Sequence, residues 1–167
     1  MHQPNLQKNA LSPNRSLAYE DVRSDKSETN WLLLDYAGPR EDRLVLTATG
    51  TGEEIRVLTW RWSDRKQGLA EIKGQLKDDN ASFAYIRVKY ANDAQSFREK
   101  FILVTWIGAN VKVMRKAKLS VHAADVKQVL RAYSIDVPAS SVLDLAEEPI
   151  VTRLRQAGGA NYNRSDF

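Results

Sequence analysis

Residues 100–118 read KFILVTWIGANVKVMRKAK. The stretch from Lys100 to Ile107 is the strongest hydrophobic run in the chain, and it shows no in-out alternation. A strand that alternates has one wet face, whereas a run without alternation must be covered on both. The reading is a central strand with helices above and below it, in an α/β layer sandwich. Gly108 ends the run, and the chain then turns almost wholly cationic. Between Arg98 and Lys118 lie six cations (Arg98, Lys100, Lys112, Arg115, Lys116 and Lys118) and one acid, Glu99, a net of +5, while the whole 167-residue chain carries +4. The remainder therefore sums to −1, and the pI near 9.3 reports one local patch. Such a patch attracts an acidic partner over roughly a Debye length, ~8–10 Å in physiological salt. The plain alternative is a solvated helix face.

A helical wheel places Val113, Met114, Ala117 and Val121 on one side of the segment after Gly108, which predicts that side to be buried. Lys112, Arg115 and Lys116 project from the other side, with Leu119 among them. From Val126 onward, Val129, Leu130 and Tyr133 point to the side that the cations held, so a kink or pause is expected over Ser120 to Ala124. Upstream, Phe83 to Tyr90 alternates, with Ala84, Ile86, Val88 and Tyr90 on one side and Phe83, Tyr85, Arg87 and Lys89 on the other. A polar turn, Asn92 to Ser96, joins it to the central strand. Trp31 to Tyr36 reads as a strand closed by the turn Ala37-Gly38-Pro39. Arg43 to Thr49 and Ile55 to Trp60 read as hairpin arms around Gly50-Thr51-Gly52. Leu69, Ile72 and Leu76 mark a helix over Asp64 to Leu76. Ser12-Pro13 is a helix start with Pro at its first position, and Leu17, Ala18, Tyr19 and Val22 give that helix an apolar side ending near Asp25. Downstream, a last strand over Tyr133 to Val137 is ended by Pro138. Ser140 or Ser141 then caps a helix carrying Leu143, Leu145, Ile150 and Leu154, which Gly158 stops. Pro149 either bends that helix or lies in the first turn of its regular part.

With 43% hydrophobic residues in 167, one domain with one core is expected: residues 12–157, between a polar tail over 1–11 and another over 158–167. There is no cysteine, hence no disulfide, thiolate nucleophile or thiolate metal site, which suits the cytosol. The opening MHQPNLQKNA lacks the apolar core of a signal peptide, and Phe101 to Ile107 is too short to span a bilayer. The two histidines, His2 and His122, cannot assemble a triad or a metal cluster. Gly50 and Gly52 do not belong to a phosphate-binding loop, and Asp78-Asp79-Asn80 reads as a turn. No metal or cofactor is expected, and a binding module is favoured over an enzyme. Trp60 and Trp62 alternate around Arg61 as a surface patch, or at least one of them lies in the core.

Four motifs carry a resemblance: AYEDVRSD (Ala18 to Asp25), KFILVTWIG (Lys100 to Gly108), RKAK (Arg115 to Lys118) and LRQAGGANY (Leu154 to Tyr162). Together they resemble the coactosin branch of the actin-depolymerising-factor homology (ADF-H) family, from about Leu17 to Tyr162. The resemblance implies a mixed five-stranded sheet, mostly antiparallel with one parallel pair, flanked by two helices on each face. It implies a non-enzymatic protein of the cytoplasm and actin cytoskeleton, expected to be monomeric, that binds the side of filamentous actin. It assigns the contact to the turn into the strand before TWIG and to the first half of the following helix. The implied actin-binding residues are Arg98, Lys100, Lys112, Met114, Arg115, Lys116 and Lys118; Met114 is equally readable as core. Between Tyr36 and Phe83 the chain is longer than a typical coactosin, where the Arg43 to Trp60 hairpin is read, and that hairpin is assigned no role. Two alternatives stand beside this one. The first is a cofilin-like severing and monomer-binding protein, disfavoured because no short Ser segment precedes the first helix. The second is a basic module for anionic lipid or nucleic acid, disfavoured because no aromatic interleaves the cations. No nucleic acid partner and no membrane insertion are expected.

Overall fold

The computed structural model describes residues 13–51, 68–91 and 96–158. The tail 1–11, Ser12, the Ile55 to Trp60 arm, Trp60 and Trp62, the start of the Asp64 helix, the turn 92–95 and the tail from residue 159 lie outside them. The elements run α1 (Pro13–Arg23), β1 (Trp31–Tyr36), β2 (Leu44–Gly50), α2 (Gly68–Lys73), β3 (Ala81–Ala91), β4 (Phe97–Ile107), α3 (Val113–Val129), β5 (Ile135–Ala139), a 3-10 turn (Val142–Leu145) and α4 (Glu147–Ala157). The described strands form one sheet in the order β2-β1-β3-β4-β5. Its pairs are antiparallel except β4 with β5, which run parallel.

Both faces of the sheet are covered, as the unalternating run requires. On one face Ile102, Val104 and Trp106 of β4 join Ala84, Ile86, Val88 and Tyr90 of β3, under Leu69 and Ile72 of α2 and Ile150 and Leu154 of α4. On the other, Leu103 joins Phe83 and Tyr85 under Ala18, Tyr19 and Val22 of α1 and Leu119, Val126 and Leu130 of the α3 segment. Two helices thus lie on each face. The alternation of β3 assigns its side chains to the faces correctly, and Arg87 is buried because it has partners: it donates to the Val22 and Ser24 carbonyls at the end of α1.

The structure corrects some local readings and decides between the alternatives left by others. Leu17, read as part of the apolar side of α1, is 66% exposed. Within the described residues β2 pairs with β1, and the Ile55 to Trp60 arm expected to pair with it lies outside them. Pro138 does not end β5 but lies within it, opposite Thr105; β5 lies at an end of the described sheet, where a proline's missing N–H is tolerated. Ser141 caps the 3-10 turn, with Asp144 completing a capping box. Pro149 is the third residue of α4, where the first turn has no N–H partner to lose.

Candidate functional site

The exit of β4 is clamped. The Trp106 indole N–H donates to the Lys77 carbonyl at 2.8 Å, Gly108 N–H to Asn80 O at 3.0 Å, and Asn110 N–H to Asp78 O at 2.8 Å. The 77–80 turn therefore lies directly on Gly108, and a side chain there would overlap the Asp78 carbonyl. With Val111 buried just after it, this junction sets where α3 begins.

The helix itself turns a different face inward than the wheel predicts. Val113, Met114 and Val121, expected to be buried, are 79%, 71% and 69% exposed, while Leu119, placed among the cations, is 1% exposed. The expected pause over Ser120 to Ala124 is absent: α3 runs unbroken over Val113–Val129. Arg115, Leu119, His122, Val126 and Leu130 recur at three and four and share the inner side, so the first half and the second bury a single stripe. The conflict that called for a kink came from assigning the first half the wrong face.

A cation can point inward here because the β1–β2 loop receives it. The Arg115 guanidinium lies 3.9 Å from the centre of the Tyr36 ring. It donates to the Gly38 and Pro39 carbonyls at 3.1 and 2.8 Å and pairs with Asp42 at 3.4 Å. Its side chain is only 14% exposed, so Arg115 straps the loop to the helix and does not project as expected. The Tyr36 hydroxyl and His122 Nδ1 are 2.9 Å apart. Burial pushes the Tyr36 phenol up to about 12, with Arg115 pulling the other way. Lys118 Nζ sits 2.8 Å from both Asp42 oxygens, and this hydrogen bond is the main reason the Asp42 carboxyl is held below its usual range. Lys112 stays exposed at the head of the helix and Lys116 is half-buried. Between the loop and the helix opens a groove of about 700 Å³, lined by Tyr36, Pro39, Arg40, Asn80, Met114 and Lys118 among others.

Arg98 and Lys100 lie elsewhere. They were expected at the turn into the strand, but β4 begins at Phe97, so both are inside the β3–β4 ladder, opposite Tyr90 and Val88. Both are half-buried. Between them Glu99 pairs with Lys89 at 3.4 Å and with the buried Arg87 at 3.6 Å. The Arg98 guanidinium reaches Gly158 at the carbonyl end of α4, a position that favours positive charge. Arg155 of α4 donates to Ala91 O at 2.7 Å, at the last residue of β3. Phe97, not anticipated as a surface feature, is 58% exposed beside Arg98. At ~3.4 Å per residue, Arg98 stands about 30 Å from the strand's exit at Ile107. The single basic patch read from the sequence is therefore two patches at opposite ends of β4.

Among the described residues no group of three His, Cys, Asp or Glu side chains could hold a metal ion, and no helix is long and apolar enough to cross a membrane. The arrangement offers apolar and charged contact surface.

Residues 10–155 match the family described as cofilin/tropomyosin-type actin-binding protein. Coactosin of Dictyostelium discoideum is 33% identical over 147 residues, covering 87% of this chain and 88% of that protein. The crystal structure of coactosin from Entamoeba histolytica superimposes with a TM-score of 0.70 at 28% identity, over 86% of this chain and 92% of that one. The solution structure of mouse coactosin, described as an actin filament binding protein, gives a TM-score of 0.61 at 30% identity, over 90% and 92%.

Proposed function

The chain belongs to the cofilin/tropomyosin-type actin-binding protein family, and from that membership we infer that it binds the side of actin filaments through both ends of β4, without enzymatic chemistry. It would act as a monomer in the cytoplasm, on the actin cytoskeleton. The observation that carries the reading is the ridge of Val113, Met114 and Val121 on the outer side of α3. Large apolar side chains left together on a soluble surface mark interaction sites, and this ridge is flanked by Lys112 and Lys116. The basic surface remains in the proposal, reduced in number: Lys112 and Lys116 beside the ridge, and Arg98 and Lys100 at the far end. Met114 enters as an outward contact. Arg115 enters as the residue that holds the helix in place, and Lys118 as a cation already paired with Asp42.

A filament side suits basic side chains spread over both ends of a strand of 11 residues, because a polymer presents successive copies of one acidic surface. The similarity to mouse coactosin, described as filament-binding, points the same way. Co-sedimentation with filaments, run beside a monomer-binding assay, tests the reading. The protein is expected to pellet with filaments at low salt, to leave monomer largely unbound, and to bind less well between about 50 and 200 mM salt as exposed charge pairs are screened. Tight monomer binding without pelleting would overturn it.

A further inference from the structure

Among the described residues, Asp42 sets a carboxylate against the cations of this surface: both of its oxygens lie 2.8 Å from Lys118 Nζ, and Oδ1 lies 3.4 Å from Arg115 Nη1. We propose that Asp42 is a built-in competitor for the acidic partner of α3, holding Lys118 so that the docking face works below its full strength. The inference rests on the proposed docking of an acidic filament surface on α3. The pair is accessible, with Lys118 41% and Asp42 48% exposed at their side chains, so an incoming carboxylate competes with Asp42 for the Lys118 ammonium. Asp42 also adds a negative charge of its own at the rim, and like charges brought together at an interface oppose association.

The loop does not depend on this pair. Arg115 keeps its stacking on Tyr36 and its bonds to the Gly38 and Pro39 carbonyls when Asp42 is neutralised, and the Ala37 N–H still donates to Arg43 O at 2.9 Å. Asp42→Asn is therefore expected to fold and melt as the parent does. Exposed ion pairs are individually weak, so the gain on release is modest: about three- to fivefold in affinity at low salt.

The experiment compares the parent, Asp42→Asn, Lys118→Ala, the double variant and Glu148→Gln. The last raises net charge equally but sits exposed in the first turn of α4, on the opposite side of the sheet from α3. Each is measured for filament co-sedimentation and for retention on poly-L-glutamate, a probe that requires no actin. Asp42→Asn should bind both more tightly than the parent and than Glu148→Gln, with an advantage that shrinks at about 200 mM salt. Lys118→Ala should cost more in the Asp42→Asn background than in the parent, since only there is the ammonium free. If no variant pellets with filaments while polyglutamate still separates Asp42→Asn from Glu148→Gln, the functional reading fails and the competition stands. If the two variants behave alike on both probes, or Asp42→Asn weakens binding, Asp42 does not compete and the proposal is wrong.

Discussion

Tyr36 shows how one side chain joins the loop, the helix and the sheet: its ring carries Arg115, and its hydroxyl meets His122. Burial raises its phenol to about 12, whereas an unfolded tyrosine ionises near ~10. Between those values the unfolded chain binds fewer protons than the folded one, so the stability from keeping Tyr36 neutral is fully present below pH ~10 and is lost as pH rises toward 12. Tyr36→Phe keeps the ring under Arg115 and removes the ionisation. Urea denaturation followed from pH 9 to 12 should give a shallower loss for Tyr36→Phe than for the parent. Some slope will remain, because burial raises Tyr85 as well. Equal slopes would mean that Tyr36 is not sealed by the loop and α3 as described.

At the scale of the element, α3 is where sequence and structure part. Its two candidate stripes, Val113-Met114-Ala117-Val121 and Arg115-Leu119-His122-Val126-Leu130, are both compatible with a helical period. Apolarity alone favours the first. What decides for the second is a tertiary partner: the Tyr36 ring and the Gly38 and Pro39 carbonyls, which make an inward arginine inexpensive. Periodicity carries no information about a partner on another element. A usable signal was present, however, since only the second stripe continues unbroken to Val126 and Leu130 without a kink. Leu119→Ala is expected to destabilise by about 2–4 kcal/mol through lost burial and a residual cavity, and Val121→Ser to stay within about 0.5 kcal/mol as a surface change. Chemical denaturation checks both, and the reverse ranking would return α3 to the face the wheel assigned it.

Across the whole molecule, the features legible in advance were those set by local chemistry. The unalternating β4 run foretold cover on both faces, the alternation of β3 sorted Phe83 and Tyr85 from Ala84 and Ile86, and Gly158 marked the end of α4. The site was legible as a set of residues but not as a shape. Arg98, Lys100 and the α3 cations are close in sequence, yet an extended strand carries the chain about 30 Å from Arg98 to its exit at Ile107, which turns one charge run into two basic patches. The claim that both ends of β4 dock together on a filament is checked by co-sedimentation of four variants: Lys100→Glu, Met114→Glu, the two combined, and Leu143→Glu as a control at another exposed apolar side chain. Losing a central contact at an interface typically costs more than 1 kcal/mol. Each single end variant should therefore weaken filament binding about tenfold, the combined variant should abolish it, and Leu143→Glu should bind as the parent does, with all four melting normally. Full binding by either Lys100→Glu or Met114→Glu would contradict the claim, leaving that end of β4 outside the contact.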